Sequence, residues 1–422
     1  MKLNQLLRIH AIWNPHVYHG WGRSKRFFEG WYYKVVNNSE TTAFAIIPGI
    51  AMDENGNKQS FIQILDGINN NAKYHKFDAN EFKPSPWIHS LKIGNNYFSR
   101  DKISLDLPNL KGDLRFKNLS PWSNSFLSPG IMGPYSFIPF MECYHGIVSM
   151  NHKILGSLKY NDENISFNEG KGYMEKDWGH SFPKAYIWMQ SNHFSKSNIS
   201  LKSSIAIIPW MRSSFIGHIA GVLIDDKLIE FTTYNGTKVN KCEITIDRVK
   251  IEMENSRYLL RLLAHREKAT TLAAPISGFM DGRIDESMKA SIEVELFDKK
   301  KKIVLFDMDG TLTPPRKELD RDLVPALREL SKISDIGIVT GSDHNYVLQQ
   351  MGLLMKNSEI RYKLHILPCN GTKYYPPPSS ATHKHELAFE KNMREELGEM
   401  HFTAIMEHVL RRQSQLHLYN LP

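Results

Sequence analysis

Up to about residue 298 the apolar positions recur with period two. SFIQIL (60–65), HIAGVLI (218–224), KLIEFTTY (227–234) and SIEVELF (291–297) are rich in β-branched and aromatic residues, the pattern of strands that bury one face. Turn formers such as DENGN (53–57), VNNSE (36–40) and YNGT (234–237) separate them. The pattern predicts an all-β body over residues 1–298. Within it, GWYYKVVNNSETTAFAIIPGI and YIWMQSNHFSKSNISLKSSIAIIPWM echo one another, with Trp31 and Trp188 near the start and AIIP near the close of each copy. Such a distant repeat predicts two related β-barrels, at about 10–165 and 166–298.

From residue 303 the period changes. KKIVLFD is a short, continuously apolar strand; DRDLVPALRELSKI places Val324, Leu327, Leu330 and Ile333 on one helical stripe; DIGIVTGSD is a second apolar strand. Strand, helix and strand in that order predict a parallel α/β domain over 303–422. The basic run 299–302 reads as a solvated junction between the two parts.

Composition narrows the function classes. With 41% hydrophobic and 23% charged residues over 422 positions, the chain can build more than one core. The formal charge of +8 is spread along the chain, so no nucleic-acid-binding arm is expected. Cys143, Cys242 and Cys369 are isolated, which argues against a disulfide framework or a zinc site. No apolar run approaches the ~18 residues of a spanning helix, and the first residues lack a secretory pattern. The expected location is the cytoplasm or the surface of a membrane. Aromatic rings beside Arg23, Lys25 and Arg26 would suit peripheral contact with anionic lipid.

Two dense clusters, NPHVYHGWGRSKRFFEGWYYKV (14–35) and EKDWGHSFPKAYIWMQSNHF (175–194), together resemble the tocopherol cyclase family over roughly residues 10–298. The resemblance implies a pair of lipocalin-like barrels and closure of a chromanol ring on a prenylated, phytyl-type quinol, with no cofactor. Such a closure protonates an alkene and captures the tertiary cation with a phenolic oxygen. It needs a carboxylic acid kept neutral by apolar burial and aromatic faces beside the cation. Asp177 and Glu175 are the candidate acids, and His19 or His180 would take the phenolic proton. Trp31, Tyr32, Trp178, Trp188, Glu29 and Arg26 are candidates for holding the substrate. Plant members of the family carry Asn where this chain has Asp177 and Gly at His180, which shifts weight to Glu175. An isoprenoid or lipid carrier, or an enzyme resembling carotenoid hydratases, would use the same hollow.

LFDMDGTLTPP, IGIVTGSD and PCNGTKYY resemble the haloacid dehalogenase (HAD) superfamily, and most closely its phosphomannomutase branch. The resemblance implies a Rossmann-like domain, here truncated. Asp307 would be the nucleophile and Asp309 the acid/base, both beside Mg²⁺, with Thr340, Gly341 and Ser342 at the phosphate of a sugar phosphate. RRQSQLHLYNLP (411–422) resembles the first strand of that branch's cap. The later lysine and acidic loop of such domains have no counterpart, so weak Mg²⁺ binding and no turnover are expected from this half.

Overall fold

The computed structural model describes residues 2–196, 198–299, 302–380 and 383–419. It divides into two compact units, Met1–Phe297 and Asp298–Pro422. Of the basic junction, Lys300 and Lys301 lie outside the described residues.

The first unit is mostly β. One antiparallel sheet of twelve strands contains Phe27–Val36, Ala43–Met52, Lys58–Asp66 and Asn71–Asp78 in sequential order on one side. Gly170–Gly179 and Cys143–Tyr160 follow in its middle, the strands between Phe82 and Lys117 make the other side, and Glu163–Ser166, paired with Cys143–Tyr160, completes it. The sheet curls around its own core, because Tyr33, Phe44, Ile62, Leu91, Phe98, Leu114, Ile154 and Met174, drawn from strands along its whole width, share one cluster. Two four-stranded sheets follow. Tyr186–Ser191, Ile199–Trp210, Ser213–Ile224 and Lys227–Thr232 form the first, and a sheet including Arg248–Glu254 and Tyr258–His265 forms the second. They face one another over Leu201, Val222, Phe231, Ile251, Met253 and Leu262.

Both copies of the internal echo open a run of four consecutive antiparallel strands. The division expected at 165/166 shifts, however. Gly170–Gly179 pairs with Phe27–Val36 on one side and Cys143–Tyr160 on the other, so the second β body begins at Tyr186. An all-β reading of this part also missed the helix Leu3–Trp13, whose Leu7 and Ala11 are buried one turn apart. A third cluster, including Tyr32, Leu65, Trp122, Ile147, Tyr173, Leu223 and Leu272, fills the seam between the two β bodies.

The second unit contains a parallel sheet of Ile303–Asp307, Asp335–Val339 and Leu364–Leu367. The helix Val324–Ile333 lies where the stripe predicted it; Leu327 is buried, while Ile333 at its end is 78% exposed. The resemblance to a cap strand at 411–422 is not matched. A helix, Met393–Tyr419, occupies that stretch as far as residue 419, where Arg, Gln and Leu without β-branched residues favour helix. No helix among the described residues is long and apolar enough to cross a membrane.

Candidate active site

Strand alternation sorts the candidates onto two faces of one sheet. Gly170–Gly179 runs antiparallel to Phe27–Val36 with Tyr32 opposite Glu175, Trp31 opposite Lys176 and Gly30 opposite Asp177. Successive side chains point to opposite faces. Glu29, Trp31, Lys176 and Trp178 therefore turn one way, and Tyr32, Tyr173, Glu175 and Asp177 turn the other, into the seam.

On the seam face, Glu175 is 4% exposed. Its Oε2 accepts hydrogen bonds from the Tyr173 hydroxyl at 2.5 Å and the Trp188 indole Nε1 at 3.2 Å. His145 stands opposite Asp177 in the next strand. Its Nδ1 is 2.7 Å from Asp177 Oδ1 and its Nε2 3.4 Å from Glu175 Oε2, so one imidazole stands between the two carboxyl groups, hydrogen-bonded to Asp177. Burial pushes the Glu175 carboxyl above the usual range, and Asp177 adds to the rise, while His145 and Lys202 oppose it. Lys202 is 1% exposed, and burial lowers its amine to about 8. Glu286 accepts from Tyr32, and desolvation raises it to about 7.

His145, Asp177, Trp188 and Lys202 form one wall of a cavity of about 130 Å³. Tyr135, Phe182, Tyr186, Phe215 and Tyr234 supply aromatic surface around it. The strand residues on this wall alternate as period two requires: Tyr186 and Trp188, then Lys202, Ser204, Ala206 and Ile208. Asp177 reaches the cavity with its side chain 25% exposed. Glu175 sits one layer behind, held by groups that reach it from both β bodies.

The other face carries a different cluster. Lys176 and Glu29, both fully buried, pair at 2.5 Å. The Lys176 ammonium lies 4.7 Å from the Trp31 ring and 4.9 Å from the Trp178 ring, within cation–π range. It donates to the Val17 carbonyl and faces His19 Nδ1 at 2.9 Å. His19 stacks on Trp178 with ring centroids 3.9 Å apart. Burial and Lys176 lower His19 to about 4.

Of the predicted residues, Glu175, Asp177, Trp188 and Tyr32 thus come together in the seam. His19, Glu29, Trp31 and Trp178 do not join them, because each falls on the opposite face. His180 and Arg26 are also separate: with His19 and Trp178 they line a second, larger cavity, and Arg26 is exposed and 3.7 Å from Glu54. Three groups were missed. His145, Lys202 and Glu286 stand in ordinary strand patterns; strand pairing brings His145 opposite Asp177, and packing of other sheets across the seam brings Lys202 and Glu286 near Glu175.

Ligand atoms of His145, Glu175 and Asp177 gather within 4.8 Å, a spacing that a divalent cation could bridge. Lys202 already supplies positive charge to both carboxyl groups, and His145 Nδ1 is engaged by Asp177. The donor set therefore suits a shared proton better than a metal.

In the second unit, Asp307 ends its strand opposite Val339. Thr340, Gly341 and Ser342 consequently leave the sheet at the same edge, where parallel α/β sheets bind ligands. Thr311 Oγ1 donates to Asp307 at 3.4 Å, and Asp309 accepts from the Arg316 backbone at 3.0 Å. Thr340 Oγ1 accepts from the Ser342 backbone at 3.2 Å. Among the described residues no third His, Cys, Asp or Glu ligand atom gathers with Asp307 and Asp309. They offer a Mg²⁺ ion two carboxylates and no complete protein shell.

Residues 113–313 match the tocopherol cyclase-like family. His145, Glu175, Asp177, Lys202 and Glu286 all fall inside that stretch. A protein of Oryza sativa subsp. japonica described as "Probable tocopherol cyclase, chloroplastic" is 22% identical over 331 residues, covering 64% of this chain and 69% of the rice protein. A phosphomannomutase of Arabidopsis thaliana is 49% identical over 55 residues. That match takes in 13% of this chain, which spans only 22% of the phosphomannomutase. The crystal structure of CghA with Sch210972 aligns with a TM-score of 0.41 at 9% identity, over 64% of this chain and 88% of that one. The sequence similarities thus point to two families, tocopherol cyclase-like and phosphomannomutase.

Proposed function

We propose that the β unit closes a chromanol ring on a prenylated quinol, with Asp177 delivering the proton. The observation that carries this reading is the His145 imidazole held between Glu175 and Asp177 at the wall of an aromatic-lined cavity. The contact of His145 Nδ1 with Asp177 Oδ1 fixes that oxygen and leaves the other to carry the proton that is delivered. Glu175, kept protonated by burial, reloads Asp177 through the imidazole.

The steps balance without a redox partner. The Asp177 proton adds to the less substituted alkene carbon, and the tertiary cation forms beside the rings of Trp188, Tyr186 and Tyr234. The phenolic oxygen closes the C–O bond, and its proton goes to Asp177, which passes one back through the imidazole to the Glu175 carboxylate. A cavity of about 130 Å³ resembles in size those that hold a single benzene ring. It suits the reacting end of the substrate, while the prenyl chain runs out along Ile208 and Phe215.

The test is incubation of the purified chain with a phytyl benzoquinol, with product analysis. A chromanol supports the reading. Binding without conversion would make the β unit a carrier, and a hydrated side chain would make it a hydratase. For the second unit, Asp307 and Asp309 would hold Mg²⁺, which when bound offsets phosphoryl charge. A sugar phosphate would seat at Thr340, Gly341 and Ser342, but without the later lysine and acidic loop no turnover is expected from this half.

A further inference from the structure

The larger cavity, about 780 Å³, shares only Met141 and His145 with the one above. It lies between the helix Leu3–Trp13, the loop over 129–141 and the end of the Gly170–Gly179 strand. Ile9, Ile12, Phe137, Ile138, Phe140 and Met141 give it apolar wall, beside the polar side chains of His19, His145 and His180. Its charged lining is of one sign. Arg8, Arg23 and Arg26 contribute guanidinium groups, and among the described residues no carboxylate lines it. Arg26 is offset by Glu54, whereas Arg8 and Arg23 have no carboxylate within ion-pair distance among the described residues. The positive field reaches inward, since burial and then Arg26 and Arg23 lower the pKa of His180.

Apolar walls and a cationic rim together select an amphiphile. A volume within the usual 300–1,000 Å³ of small-molecule sites accommodates one chain, and guanidinium groups recognise carboxylates in bidentate fashion. A neutral quinol would leave the arginines without a partner. We infer that this cavity is a second ligand site, for one single-chain amphiphile with an anionic head bound at Arg8 and Arg23 and its chain packed along Ile12, Ile138 and Met141. Met141 and His145 line both cavities, so the far end of the chain abuts the wall of the proposed active site.

Calorimetric titration of the full chain with oleate, below its micellar concentration, tests this directly, with oleyl alcohol as the neutral probe. Expected is saturable binding of one oleate per chain, at least tenfold tighter than the alcohol. The double variant Arg8→Gln/Arg23→Gln should weaken oleate binding at least tenfold and leave the alcohol unaffected. Equal affinity for acid and alcohol, or an unaltered double variant, overturns the inference. So does association with anionic phosphatidylserine vesicles in the absence of any binding of monomeric oleate, since the arginines would then serve a membrane surface. Glu175→Gln should bind oleate as tightly as the unaltered chain, so failure of the cyclase reading and failure of this one remain distinguishable.

Discussion

The Trp188 indole donates to Glu175 Oε2 at 3.2 Å, and the two residues belong to different β bodies. The bond ties the buried carboxyl of the first body to the cavity wall built by the second. The electrostatics of the site thus depend on the seam staying closed.

Asp177→Asn should lower chromanol formation by about 10²–10⁴-fold, the usual contribution of a general acid, while the substrate still binds. Glu175→Gln should cost less, because it removes the proton reservoir and leaves the donor. Single-turnover product formation and equilibrium binding measured on both variants check this; a pure carrier would show binding alone.

The pH profile should respond to Lys202. Catalysis needs a protonated Glu175, so the rate falls as pH rises through that group's raised pKa. The Lys202 charge pulls this pKa down. Lys202→Met should therefore move the alkaline limb of kcat to higher pH, and an unmoved or acid-shifted limb would count against the proton-reservoir role.

Glu286 should make stability pH-dependent. Its folded pKa of about 7 stands above the 4.5 of an unperturbed glutamate. Between those values the folded chain holds a proton that the unfolded chain has released, so stability falls as pH rises through that window. Thermal melts from pH 4.5 to 7.5 should show this decline, and Glu286→Gln should flatten it.

The Glu29–Lys176 pair should reveal the cost of an uncompensated buried charge. Lys176→Met alone leaves Glu29 without its partner inside the first core, and about 3–5 kcal/mol of stability should be lost. Glu29→Gln/Lys176→Met should recover much of it. Urea unfolding of the three proteins measures the difference.

In the second unit, two carboxylates without a third gathered ligand should hold Mg²⁺ only weakly, with Kd in the millimolar range or above. Calorimetric titration with MgCl₂ checks this, and Asp307→Asn should abolish the residual heat.

Much of the architecture was legible in the pattern of residues. Period-two alternation marked strands such as Lys58–Asp66 and Ser291–Asp298, and the shift to short apolar runs marked the parallel strands at Ile303–Asp307 and Asp335–Val339. The motif around residues 172–194 directed attention to Glu175, Asp177 and Trp188, because carboxyl groups among so many rings are costly unless used. Pairing across long stretches of chain was not legible. The sequence could place Glu175, Lys176 and Asp177 on one strand, but not say which face looks into the first core and which into the seam, since a register step of one residue exchanges the two. His145, Lys202 and Glu286 became part of the site only when strands 32, 27 and 111 residues away from Glu175 or its neighbours folded against it. Local periodicity is a property of neighbours along the chain, whereas a shared proton needs groups within a few ångströms in space, and only tertiary packing sets those distances.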